Sequence, residues 1–452
     1  MRKSLWLVTV LVVLGLMMAA CGGGATQAPA AAPTTAAKPA DKAAAPAGGA
    51  AASGKVIKFI GDANPKQWEL DLVAAFEKQP GGVKVEYIKG PDSATERLAQ
   101  YLQFLSAQSS DIDVYQIDVI WPGILVDHMV DLKQGIPADE INQHFKAIVD
   151  NNTVNGKLVG LPRFTDAGLL YYRKDLLQKY GYSNPPATWK ELEDMAAKIQ
   201  DGERKAGNDA FWGFVWQGDR YEGLTCDALE WQVSQGGGVI IDPDKKITIN
   251  NPQAAAAFDR ARTWVGKISP PGVTTYKEED SRGVWQAGNA AFMRNWPYAY
   301  SLGQSADSKI KDKFDVVPIP KGEGANARNA DTLGGWQLAV SKYSKNQKEA
   351  IEFVRYLAGK NGQKTSATQG SLLPTIGDLY KDQDVLKAAP FFGSLFPVFS
   401  GGAVARPSTV SADRYNEVST AYFTQVQRVL TGEIKGAEAV ANIEKDLQRI
   451  MK

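Results

Sequence analysis

The chain is poor in the residues that carry most metal and redox chemistry. In 452 residues it has two cysteines, Cys21 and Cys226, and two histidines, His128 and His144. One cysteine lies in the leader and the other about two hundred positions away in the body, which excludes a disulfide framework and a cysteine-ligated metal site. Cys226 reads as a small buried hydrophobe, and the histidines as surface or satisfied residues. An excess of either charge is also lacking. Lys plus Arg number 51 and Asp plus Glu 50, a formal net charge of +1, so nothing draws the chain to nucleic acid or to an anionic membrane surface. Metal spacings, phosphate loops and catalytic-triad signatures are absent, as are repeats at a solenoid period. No cofactor is implied. There is a single long apolar run, Leu5 to Met17, too short for a permanent membrane span.

That run belongs to a leader. Arg2 and Lys3 give the basic start, residues 5–17 the apolar stretch, and Met18-Ala-Ala-Cys21 a small-residue cleavage site, so residues 1–20 read as a signal peptide. A cysteine directly after two small residues resembles the lipobox of bacterial lipoproteins. The resemblance implies cleavage before Cys21 and lipidation there; an ordinary secretion signal with an incidental cysteine is the alternative. Loss of Arg2 and Lys3 takes the net charge from +1 to −1. Residues 21–54 are then a lipidated cysteine and a disordered tether. Beyond Cys21 they lack aromatics and large aliphatics, and cannot bury enough apolar surface to order themselves.

The body has ordinary globular composition, 44% hydrophobic and 22% charged, and is long enough for two cores. Lys55–Ile60, Gly82–Tyr87 and Asp113–Ile120 read as strands. They alternate with helices carrying Trp68, Leu72, Val73 and Phe76, then Leu98, Leu102 and Leu105, the pattern of a parallel sheet. In such sheets ligands sit at the carboxyl ends of strands, which marks Gly61 to Asn64 and Asp118 as rim positions. Phe164 to Asp175 reads as a short buried strand feeding a helix, with Asp166 just before the strand at the floor of a groove. There the chain is expected to pass from one lobe to another. Thr188-Trp-Lys-Glu191 is a capping box, and Asn251-Pro252 opens a helix. Phe211–Trp216 and Gly236–Ile241 are strand-like, and Ala290–Tyr298 is a strand running into an aromatic loop. Phe314–Pro320 is extended, a second crossing, with Gly334–Val340 and a helix Lys348–Leu357 behind it. The chain from about 372 reads as helical, ending in a stripe of Val440, Ile443, Leu447 and Ile450.

The leader, Tyr115-Gln-Ile-Asp-Val-Ile-Trp-Pro-Gly123, Phe164-Thr-Asp-Ala-Gly-Leu-Leu-Tyr-Tyr-Arg173, Phe292-Met-Arg-Asn-Trp-Pro-Tyr298 and Leu333-Gly-Gly-Trp336 together resemble extracellular solute-binding proteins of ABC importers, in particular the trehalose/maltose-binding branch. The resemblance implies an α/β, two-lobed, periplasmic-binding-protein-like fold (type II) joined by several hinge crossings. One lobe would span 55–165 plus 320–360 and the other 167–318 plus 362–452. It implies sugar contacts from Asp118, Asp166, Trp296, Tyr298 and Trp336, with Arg97, Arg406, Tyr221 and Glu222 beside them. The branch places a glutamate after the first strand; here the loop reads Gly61-Asp-Ala-Asn64, where Asp62 or Asn64 substitutes. The implied partners are a disaccharide or short oligosaccharide and the transmembrane subunits of an ABC permease, with the membrane reached through the lipid alone. The protein is expected to be a monomer and not an enzyme.

These residue types suit a sugar. Carboxylates accept hydrogen bonds from the hydroxyl edge, at roughly 1.5–3 kcal/mol each against about 1 for neutral pairs. Indole and phenol rings cover the C–H face. One rival is a glycoside hydrolase using two of the carboxylates. Against it, the nearby arginines are expected to hold those carboxylates ionised, contrary to what a general acid needs. An adhesive lipoprotein without a small ligand is a second rival.

Overall fold

The computed structural model describes residues 54–324, 326–395 and 403–452. The signal peptide, the lipidation position Cys21 and all of the tether but its last residue lie outside the described residues.

The chain opens as the alternation of strand and helix requires: β1 (Val56–Gly61), α1 (Gln67–Glu77), β2 (Lys84–Lys89), α2 (Ala94–Ser106) and β3 (Val114–Asp118). β1 pairs in parallel with β2 and with β3. Both faces of this sheet are covered. Ile57, Phe59 and Val114 pack with Leu72, Val73 and Phe76 of α1, while Ile60, Tyr115 and Ile117 pack with Leu98, Tyr101 and Leu105 of α2. This is the period-two alternation of a strand buried on both sides.

After short helices and a small two-stranded hairpin at residues 153–158 comes β4 (Leu161–Ala167), then Gly168, then β5 (Leu169–Arg173). The two strands belong to different sheets. β4 joins the first sheet, whereas β5 enters a second sheet made also of β6 (Trp212–Val215), β7 (Ala290–Asn295) and β8 (Phe314–Pro318), in the order β8-β5-β7-β6. Asp166 therefore lies inside a strand and not before one, and the change of sheet occurs at a single glycine. Returning from β8, the chain enters β9 (Asp331–Val340), which lies antiparallel to both β3 and β4 in the first sheet. Residues 403–404 form β10, parallel to the start of β9.

The second sheet is also covered on both faces. Leu170, Phe214 and Phe292 pack against α3 (Trp189–Lys205), α4 (Glu222–Ser234) and α5 (Pro252–Trp264); Leu169, Tyr171, Val215 and Met293 pack with Trp285 on the other side. The capping box is present, with Glu191 N–H donating to Thr188 Oγ1 and Thr188 N–H to Glu191 Oε2. Asn251 Oδ1 caps α5 by accepting from Ala254 N–H at 2.9 Å. The last two helices, α6 (Tyr415–Leu430) and α7 (Gly436–Ile450), lay Val440, Ile443 and Leu447 against the same core, with Ile450 half-buried at its edge.

Two further local expectations fail. Gly236–Ile241 is a turn with one isolated bridge, Ile241 to Ile247. Gly236 and Gly238 take φ of +86° and +65°, conformations that end α4 and that a strand does not use. Residues 372–395 form short turns and single-turn helices, so long helices resume only at Tyr415.

Candidate functional site

Strand register assembles the site before any side chain is considered. β9 places Trp336 opposite Asp118 of β3 and Gly334 opposite Asp166 of β4. Gly335 between them has φ +126°, and a Cβ there would lie 2.6 Å from the Phe164 carbonyl oxygen, so only glycine fits. The pairing of β4 with β9 slips between Trp336 and Gln337. Arg163 is the extra residue of this bulge, a device that re-aims side chains near sites. These strand ends border a cavity of about 580 Å³ whose opposite wall comes from α4, the Lys277–Asp280 segment and the loop after β7.

Ten of the eleven expected ligand-binding residues line this cavity: Asp62, Asn64, Arg97, Asp118, Asp166, Glu222, Trp296, Tyr298, Trp336 and Arg406. Tyr221 does not. It is buried, and its hydroxyl donates to Glu278 Oε2 at 2.6 Å, so it backs a wall residue.

Asp166 is 7% exposed, and its buried Oδ1 has no hydrogen-bond partner among the described residues. Burial, reinforced by nearby Asp118, pushes its carboxyl well above the usual carboxylate range; Arg294 opposes this without offsetting it. Glu222 is raised as well, again by burial first, although Arg406 Nη1 donates to it at 2.8 Å. Both carboxyls are thus shifted upward, opposite to the lowering expected from neighbouring arginines. At both positions desolvation outweighs the Coulomb attraction of the arginine.

Arg406 carries three bonds, from Nη1 to Glu222 and from Nη2 to Asp118 Oδ1 at 3.0 Å and to the Leu333 carbonyl at 3.3 Å. Glu222 is further held by the hydroxyls of Tyr415 and Ser419 at 2.5 and 2.6 Å. Arg97 lies with its guanidinium 4.6 Å from the Trp336 ring centroid and donates to Asp62 Oδ1 at 3.2 Å. Asp62 also accepts from Gln116 at 2.9 Å, and the exposed Asn64 donates to Asp92. Trp296 and Tyr298 are half-buried. The Trp296 indole N–H donates to Glu278 at 3.4 Å and the Tyr298 hydroxyl to Glu279 at 2.7 Å. The Trp296 ring packs over Gly334, where a Cβ would meet it at 3.0 Å and the Asp166 Cβ at 3.1 Å.

Sequence reasoning missed a buried group beneath this wall and the acids opposite it. Arg163 Nη2 donates to Glu69 at 2.7 Å, and Arg163 also bonds Gln116. Glu278 and Glu279 stand in the first turn of a helix, Glu278–Gln286, where acids are ordinary partners of the helix dipole and carry no mark of a site. Among the described residues no group of histidine, cysteine, aspartate and glutamate could hold a metal ion. The wall thus offers carboxyl oxygens, guanidinium donors and flat aromatic area around one half-open cleft. Such a set can hydrogen-bond and cover a polyhydroxylated ring.

Residues 62–364 match the family described as "Bacterial extracellular solute-binding protein". The chain is 55% identical over 376 residues to a probable ABC transporter-binding protein of Deinococcus radiodurans, covering 83% of this chain and 88% of that one. A galactooligosaccharide-binding protein of Bacillus subtilis is 24% identical over 385 residues, 82% of this chain and 83% of its own. Among solved structures, a maltose-bound T. maritima protein, MalE3, superposes with a TM-score of 0.82 at 40% identity, covering 87% of this chain and 99% of that one.

Proposed function

The chain belongs to the bacterial extracellular solute-binding proteins of ABC transporters, a two-lobed fold that works outside the cytoplasm, and from that premise we propose that it binds an uncharged disaccharide or short oligosaccharide, such as maltose or trehalose, and hands it to a membrane permease. The observation that carries this reading is the partnerless buried Oδ1 of Asp166 beside the Trp296 ring. A hydroxylated ring supplies both the hydrogen bond and the apolar face that this pair lacks. The maltose bound to the T. maritima relative supports the sugar class. On this reading the lobes are 55–165 plus 320–360 and 167–318 plus 362–452. They close on ligand that touches both, and the monomer is held at the membrane by a lipid on Cys21.

Titration calorimetry of the purified protein against maltose, trehalose, sucrose and maltotriose tests the reading. Saturable binding of at least one is expected. Heats of dilution alone for every sugar, with no carbohydrate released on denaturation and seen by mass spectrometry, would refute it. Cys21→Ser is expected to leave the protein soluble or unprocessed; retention in the detergent phase would contradict the anchor.

A further inference from the structure

Arg294, on β7, takes no part in lining the cavity, yet it touches the residue that does. Its guanidinium lies 4.1 Å from the centroid of the Trp296 ring. It is 1% exposed, and since Trp296 faces the cavity, the guanidinium lies behind the ring. Three buried partners fix it in place. Nε and Nη2 donate to Glu230 at 2.9 and 2.5 Å, Nη1 donates to Gln217 Oε1 at 3.1 Å, and Asp227 pairs with Nε at 3.0 Å. Glu230 in turn accepts the Thr332 backbone N–H at 3.2 Å, from the first sheet. It also lies so near the single-residue change of sheet that a Cβ on Gly168 would come within 1.9 Å of its Oε1 and 2.4 Å of Arg294 Nη2.

A planar cation this well held is a rigid backing for an aromatic plane. Charge balance in the core needs only a positive group opposite Asp227 and Glu230, which lysine would supply. Lysine has no plane to lay against an indole. We infer that Arg294 is a positioning residue of the binding site: it fixes the orientation of Trp296 from behind, and through Glu230 anchors that orientation to the chain where it passes between the two sheets. The affinity part of this inference rests on the sugar-binding reading; the orientation part does not.

Arg294→Lys separates the two roles. In protein labelled with 5-fluorotryptophan, the Trp296 resonance is assigned by its loss in Trp296→Phe. The expected result without ligand is a single narrow Trp296 signal in the wild type, and a shifted, broadened or doubled one in R294K whose melting temperature remains near wild type. An unchanged Trp296 signal in folded R294K overturns the inference, whatever the protein binds. With maltose, R294K is expected to lose tenfold or more in affinity, and less than twofold when Trp296→Leu is already present. Equal losses in both backgrounds overturn it. A wild type that binds no sugar counts against the sugar reading, and the fluorine spectra still decide the role of Arg294. Should R294K not fold, the charge-balanced pair E230Q/R294Q takes its place in both comparisons.

Discussion

Arg406 and Glu222 form a buried ion pair at 2.8 Å, and the same guanidinium holds Asp118 at 3.0 Å from the other side. Glu222 begins α4, which packs on the second sheet, whereas Asp118 ends a strand of the first. One cation thus pairs with two buried acids that reach it from the layers of different sheets. Removing one member of a buried pair strands the other, at a cost of about 3–5 kcal/mol. Arg406→Met is expected to lower unfolding free energy in urea by about that amount, and adding Glu222→Gln to recover part of it. Full stability in R406M would show that the pair contributes nothing.

Asp166 behaves in the opposite way. Its Oδ1 is buried without a bond from the described chain, and burial pushes the carboxyl up, so the folded state loses little when it goes. Asp166→Ala is expected to weaken maltose binding at least tenfold, about 1.4 kcal/mol, while the melting temperature holds or rises. Affinity equal to wild type in calorimetry would remove Asp166 from the site.

Gly168 is fixed by its neighbours. An alanine Cβ would meet Glu230 and Arg294, both wholly buried and bonded to each other, so neither can move aside. Gly168→Ala is expected to cost about 1–3 kcal/mol by overpacking and to disturb sugar binding with it. Wild-type stability together with wild-type affinity would mean that this segment relaxes freely.

His144 supplies a pH dependence. Its Nδ1 lies 2.7 Å from the Thr375 hydroxyl, and burial lowers its pKa from 6.5 to about 4. The unfolded state therefore binds the extra proton first. Stability from this group is complete above pH 6.5 and is lost as pH falls towards 4, by about 3 kcal/mol. The raised carboxyls of Asp166 and Glu222 act in the opposite sense, so the comparison is between wild type and His144→Asn. Their difference in unfolding free energy is expected to shrink by that amount from pH 7 to pH 4; a constant difference would exclude the effect.

Much of this was legible in the sequence because strands and amphipathic helices announce themselves by period. Val114 to Asp118 and the stripe on α7 are examples. The wall residues were legible from short motifs whose glycines and aromatics sit side by side, as in Leu333-Gly-Gly-Trp336. α4 was not legible. All thirteen of its residues are buried, Glu222, Asp227 and Glu230 among them, so it has no apolar stripe by which a helix announces itself. The same blindness hid Arg163–Glu69 and Arg294–Glu230. Pairs 94 and 64 positions apart in the chain meet only through the fold, and a lone arginine gives no sign that it will be buried. Burial also shifts the Asp166 carboxyl in the direction opposite to the one expected, since sequence shows which charges are present but not how much water they keep.

The most direct test is a crystal structure of the protein grown with maltose. The account predicts sugar in the cavity, a hydroxyl within hydrogen-bond distance of Asp166 and a ring lying against the face of Trp296 opposite Arg294. Maltose seated elsewhere on the molecule, or in the cavity but touching neither residue, would contradict it.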